Sequence, residues 1–232
     1  MNWWHKLFYH KTSAVAPLIA WGLSDRPIWT PRNYQSLTEE GYQKNVIVYR
    51  CVSLIARGIG SVPWLLYEGE LEVEEHPLLD LLRNPNPQQA GAAFMEAVVG
   101  SLLLSGNAYI EGVLNHCGEL RELYALRPDR IQVVPGSSGV PIAFDYTVGS
   151  QTKRIFCDPI TGQSPILHLK NYHPLNDWYG ISPIEVAARA IDQHNAVGAH
   201  NLALLQNGGR PSGALTLKPT PGSPPLTDQQ RE

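Results

Sequence analysis

The chain is poor in cysteine: Cys51, Cys117 and Cys157 are odd in number and far apart in 232 residues. There is no Cys-x-x-Cys pair and no Asn-x-Ser/Thr acceptor, so neither a disulfide framework nor a thiolate zinc site is encoded. The pattern points to a reducing, intracellular setting. No run approaches the roughly 20 apolar residues that span a bilayer. An apolar stretch at 14–23 follows Lys6 and Lys11 and loosely imitates a signal peptide. It is broken by Pro17 and runs into Ser24-Asp25-Arg26-Pro27 without a cleavage site. A charge excess of one sign is also lacking. With 18 basic against 21 acidic residues the net charge is −3, and the Lys and Arg are scattered. That argues against a protein gripping nucleic acid through its phosphates, though not against one that lets nucleic acid slide past.

Enzyme motifs are equally scarce. No Gly-x-Ser-x-Gly, phosphate-binding Gly-x-x-x-x-Gly-Lys-Ser/Thr or His-Glu-x-x-His is present. A lone Gly58-Ile59-Gly60 lies inside a helical pattern, so no cofactor site is expected. Glu39-Glu40 and Glu74-Glu75 sit in loop-like sequence with no apolar pocket to raise a pKa. His194 and His200 are six apart on one helix and point to different sides, so no metal is expected there. His168, His173 and Asp177 could form a metal site and make the chain an unrecognised hydrolase; ordinary surface histidines are the simpler reading.

What the sequence does contain is a globular composition, 43% apolar and 17% charged, long enough for one large domain or two small ones. Its organising stretch is 182–209. Ser182 caps, Glu185 reaches back to it, Pro183 takes the first helical position and Gly208 closes the helix. The resulting rod of about 24 residues is roughly 36 Å long. Ile184, Ala187, Ala188, Ile191, Gly198, Leu202 and Leu205 form one apolar face; Val186, Ala190, Val197 and Leu204 form a second. Between them runs a polar strip of Glu185, Arg189, Asp192, Gln193 and His200. Two apolar flanks and one wet strip suit a helix between two neighbours, or lining a channel in a ring of subunits; a central helix of an ordinary domain is the simpler alternative.

Upstream, residues 1–40 carry Trp3, Trp4, Trp21 and Trp29 among prolines and read as an aromatic arm that packs on another surface or folds back on its own core. A helix is predicted over 46–62 with Val48, Val52, Ile55, Ile59 and Val62 inward. Trp64 to Tyr67 reads as a strand turning at Glu68-Gly69 into Leu71 to Val73. A short helix over 77–83 stops before Asn84-Pro85-Asn86-Pro87. Another follows over 90–105, with Phe94, Val98 and Leu102 inside and Gly106 as its cap. A hairpin at 109–114 and 120–126 and strands near 130–134, 142–148, 153–157 and 165–170 complete an α+β pattern without repeats. After Gly209 come prolines, a strand-like Ala214-Leu215-Thr216-Leu217, and Leu226-Thr227-Asp228-Gln229-Gln230, which resembles the start of a helix; the expectation is a truncated chain.

A series of motifs in order adds a resemblance. They are Tyr49-Arg50-Cys51-Val52-Ser53-Leu54-Ile55-Ala56 through Ser61-Val62-Pro63, His76-Pro77-Leu78-Leu79-Asp80-Leu81-Leu82, Asn84-Pro85-Asn86-Pro87, Gly106-Asn107-Ala108-Tyr109-Ile110, Leu123 through Pro128 with Ile166-Leu167-His168-Leu169, Tyr179-Gly180-Ile181-Ser182-Pro183, and Asn207-Gly208-Gly209-Arg210-Pro211-Ser212-Gly213. The chain resembles the HK97-type portal proteins of tailed bacteriophages and gene transfer agents over about residues 45–232. The resemblance implies a structural, non-enzymatic subunit of a homo-oligomeric ring, typically of twelve, at one capsid vertex of a virion or phage-like particle assembled in the bacterial cytoplasm. It implies the major capsid protein, the terminase and a neck or adaptor protein as partners, with double-stranded DNA passing non-specifically. It divides the chain into an arm (1–40), an α+β wing (41–178), a stem helix (179–209) and the start of a clip (210–232). On that basis Glu185, Arg189, Asp192, Gln193 and His200 are channel-facing candidates, and Ile184, Ile191, Val197, Gly198 and Leu202 subunit-contact candidates. Trp3, Trp4, Trp21 and Trp29 are partner-binding candidates of the arm. No cofactor, metal or membrane is implied. A peripheral membrane or surface-binding protein using the aromatic arm is the alternative.

Overall fold

Two helices of fifteen residues pack side by side because small residues line their seam. In the computed structural model, which describes residues 29–136, 139–158 and 160–209, α2 (Val46–Gly60) lies on α4 (Gly91–Ser105). A Cβ on Gly60 would stand 2.8 Å from the Ala92 carbonyl oxygen, so the backbones approach as closely as a missing side chain allows. The buried residues of α2 are Val52, Ser53 and Ala56, while Ile55, Ile59 and Val62 face outward. The inward set expected from apolar spacing is therefore corrected for these three: close packing selects the small face of the helix over the bulky one.

Before α2 come a short helix α1 (Tyr34–Leu37) and a π-helical turn (Thr38–Gln43); after it come a small hairpin of β1 (Tyr67–Glu68) and β2 (Leu71–Glu72), then α3 (Pro77–Arg83). The strand expected from Trp64 starts only at Tyr67. Leu37 of α1 is buried in the chain's own core. The segment from Tyr34 to Gln43 therefore belongs to the domain body, which corrects the end of the expected arm.

Beyond α4 the chain is antiparallel sheet. One sheet has the order β4–β3–β8 (Leu120–Leu126, Asn107–Leu114, Ile166–Lys170), the other β5–β6–β7 (Ile131–Pro135, Pro141–Val148, Gln151–Phe156). Alternation along β3 decides the layers. Ala108 and Ile110 face Phe94 and Val98 of α4, whereas Tyr109 faces Phe144, Ile131, Val133 and Ile155 of the second sheet. The order of layers is thus α2, α4, first sheet, second sheet. The expected α+β architecture is the observed one. The last described element, α5 (Pro183–Gln206), spans 24 residues and packs back on α1, the π-helical turn and α4.

Candidate functional site

The candidate site is α5 with the junction that aims it. At the end of α4, Gly106 adopts φ +75°, the left-handed conformation that ends a helix. Its backbone touches that of Gly180, just before α5: a Cβ on Gly106 would lie 2.5 Å from the Gly180 carbonyl oxygen, and one on Gly180 would overlap the Gly106 carbonyl. Asn107 closes the contact from within. Its Oδ1 accepts from Gly180 N–H at 2.8 Å and from His168 Nε2–H at 3.1 Å, and its amide donates to the Ser105 carbonyl at 2.9 Å and the Gly180 carbonyl at 3.4 Å. Asn171 ties a third strand in. Its N–H donates to the Gly106 carbonyl, and its side-chain amide to the carbonyls of Leu102 and Ile181. Every donor and acceptor of the buried Asn107 side chain is thereby used, so its desolvation is compensated and the knot fixes one geometry.

His168 stacks on Tyr109 with ring centroids 4.3 Å apart. Burial, aided by the Lys170 charge, pushes its pKa down from 6.5 to about 4, so the ring is neutral, with Nε2 the protonated nitrogen. Burial, with a smaller effect of Tyr179, pushes the Tyr109 hydroxyl pKa upward. His173 instead accepts from the Leu175 N–H through Nδ1, and it is the Asp177 carbonyl, not its carboxylate, that receives Lys170. The structure does not gather His168, His173 and Asp177 into one cluster, and among the described residues no group of three or more His, Cys, Asp or Glu side chains could hold a metal.

Ser182 then starts α5. Its hydroxyl oxygen accepts from the N–H groups of Ile184 and Glu185, while its O–H donates to the Leu103 carbonyl of α4, so the cap doubles as a weld between helices. The Glu185 carboxylate makes no return bond among those formed, which corrects the expected reciprocal capping. A second weld comes from Asn45, only 4% exposed. Its Oδ1 caps α2 through Ile47 and Val48, and its amide donates to Asn195 Oδ1 at 2.9 Å and His194 Nδ1 at 3.0 Å. Asn195 in turn donates to the Glu40 carbonyl of the π-helical turn. Ile184, Ala188 and Ile191 complete the docking against Leu37, Val52 and Leu104. Burying the two isoleucines contributes roughly 4 kcal/mol.

The proposed roles along α5 separate accordingly. Ile184 and Ile191 are buried in the chain's own core, which corrects their assignment to a subunit contact. The half-buried Asp192 carboxylate accepts from both the N–H and the hydroxyl of Thr30, so it has a partner within its own chain. Glu185 is half-buried, and the Arg189 guanidinium lies 5.8 Å over the Trp29 ring. At that point Trp29 folds onto its own chain; Trp3, Trp4 and Trp21 lie outside the described residues. Gln193 and His200 are exposed, as are Val197, Gly198 and Leu202; indeed, every residue from 196 to 209 is exposed. The helix ends where Gly208, at φ +65°, and Gly209 return their N–H groups to the carbonyls of Leu205 and Leu204. The residues that aim the helix, Asn45, Asn107, Asn171 and Gly180, carry no periodic signal. Gly106-Asn107 and Tyr179-Gly180 stand in the sequence as turn signals, but only the fold brings them together.

Against this geometry, the family profile described as phage portal protein matches residues 46–232. The chain belongs to the phage portal protein family. This portal-family chain is 42% identical over 203 residues to an uncharacterised protein of Rickettsia bellii strain RML369-C, covering 83% of this chain and 49% of that one. It is 27% identical over 203 residues to the portal protein of Enterobacteria phage HK97, covering 84% and 45%. Among solved structures it is similar to the neck of a gene transfer agent particle: the empty form computed with C6 symmetry (TM-score 0.72, 45% identity, 89% of this chain and 55% of that one) and the native form with C12 symmetry (0.68, 44%, 89% and 54%). The HK97-type resemblance read from the motifs is therefore established. The chain spans about half the length of the relatives it matches.

Proposed function

We propose that this portal-family chain is the structural subunit of a homo-oligomeric ring, of twelve copies as in the C12 neck, at one capsid vertex of a virion or phage-like particle. The ring is the conduit through which double-stranded DNA is packaged and leaves, and the docking site for the terminase and for neck or adaptor proteins; the major capsid protein surrounds it. Residues 34–178 form the wing, 179–209 the stem, and 210–232, which lie outside the described residues, the start of the clip.

The observation that carries this reading is the shape of α5. Its first half is welded to the wing by Ser182, Asn45 and two buried isoleucines, so its direction is fixed, and its second half projects with all side chains exposed. A fixed rod with an exposed apolar flank needs neighbours. Val197, Gly198 and Leu202 are the residues through which neighbouring stems meet, and Glu185, Arg189, Gln193 and His200 lie towards the channel. Their mixed charge suits a wall that must not retain the phosphate backbone. Among the described residues no helix is long and apolar enough to cross a membrane.

Negative-stain microscopy and native mass spectrometry of the purified chain test the proposal. Rings with a central hole and one subunit number are expected. A chain that stays monomeric in both measurements overturns it.

A further inference from the structure

Helix α2 turns its small residues inward and its large ones outward. Ile47, Leu54, Ile55 and Ile59 recur at helical spacing along one exposed face, with Val62 and Trp64 just past its end. Exposures run from 45% at Ile59 to 63% at Val62. Together these six residues leave on the order of 600 Å² open, at the upper end of the ~300–600 Å² of the largest patch on a typical monomer and most of the ~800 Å² each partner gives to a stable interface. No charged residue interrupts the stripe. Arg50 and Arg57 lie along one side of it, Arg57 paired with Glu96 at 2.9 Å, so an apolar centre is edged by polar groups, as in protein–protein interfaces. The face lies on α2, the outermost layer, with α4 and the sheets behind it.

We propose that this face is a contact with a second copy of the chain. The proposal rests on the ring reading above and adds to it the surface used in the wing. A ring interface is heterologous, so the stripe meets a different face of its neighbour and need not be self-complementary. Its area fits that role, and its uncharged centre fits neither a water-filled channel wall nor the phosphates of nucleic acid.

Cysteine reactivity in the full chain provides the test. Cys51 lies on the stripe between Ile47 and Leu54, Cys117 is exposed on the β3–β4 turn, outside the stripe, and Cys157 is buried. In the wild-type oligomer, maleimide labelling of Cys51 is expected to be at least about tenfold slower than that of Cys117. Leu54→Glu and Ile59→Glu should shift native mass spectra to monomer and equalise the two rates, with Cys157 still protected as the sign of an intact fold. An oligomer that survives both substitutions, or in which Cys51 labels as fast as Cys117, overturns the inference and leaves the ring reading standing. A wild-type chain that never oligomerises overturns both. Co-sedimentation of the wild type with phosphatidylglycerol vesicles that Leu54→Glu abolishes, with oligomers unchanged, assigns the face to a lipid surface and overturns it as well.

Discussion

Residues 183–195 and 196–206 of α5 continue one apolar line: Ile184, Ala188 and Ile191 in the first part, Leu202 and Leu205 in the second. The first three are buried against Leu37, Val52 and Leu104, while Leu205 is 76% exposed. Nothing in the spacing separates the two parts. What separates them is a set of polar welds, from Ser182, Asn45 and Asn195, all of which act on the first. Amphipathic spacing thus records that a helix face is to be covered without recording by what: here one part is covered by the chain itself, the other awaits a neighbour.

That contrast can be broken from its root. Gly180→Ala places a methyl group against the Gly106 carbonyl and the backbone of Asn171, and should cost more than about 3 kcal/mol, or abolish cooperative folding, in urea titrations. Retention of wild-type stability would mean that the glycine contact does not set the direction of α5. Next in size, Asn45→Ala removes the α2 cap and two bonds to α5 and should cost about 2–3 kcal/mol in the same assay. An effect below about 1 kcal/mol would leave the docked half resting on its isoleucines and the Ser182 bond.

Acid should loosen the junction by a smaller amount. The folded His168 pKa, about 4, lies below its ordinary 6.5, so the unfolded chain binds more protons between these values. Stability from this residue is complete above pH 6.5 and is lost as pH falls towards 4, by about 1–2 kcal/mol once its partial exposure is allowed for. His168→Phe should flatten the Tm profile over that window, and an unchanged slope would show that another group is responsible. The smallest effect on the chain itself is expected at Gly198, where an added side chain meets open space. Gly198→Leu should leave monomer stability unchanged or raise it by less than about 1 kcal/mol, while lowering ring yield in native mass spectra. A normal ring yield would remove this position from the stem contact.

The helices and strands were largely legible, because Ser182-Pro183, Gly208, Pro63, Gly106 and the alternation along β3 are local signals. The inward face of α2 was not. Its bulky stripe has the stronger periodicity, yet Ala56 and Gly60 allow a closer approach of α4 than Ile55 or Ile59 could. Of the candidate site, the length of α5 and its Ser182 cap were legible. That Asp192 binds Thr30 and Arg189 covers Trp29 was not, since partners 162 and 160 residues apart leave no trace in spacing.

By itself the sequence determined the α+β order of elements, the extent of the long helix and, through the order of its motifs, membership of the portal family, because each of these is written in local or serial pattern. Only the tertiary structure decided which part of that helix is anchored and which is offered outward, and which side of α2 faces the core. Those outcomes depend on backbone contacts between Gly106 and Gly180 and on hydrogen bonds from Asn45 and Asn107, which exist only once distant segments have been brought within reach of one another.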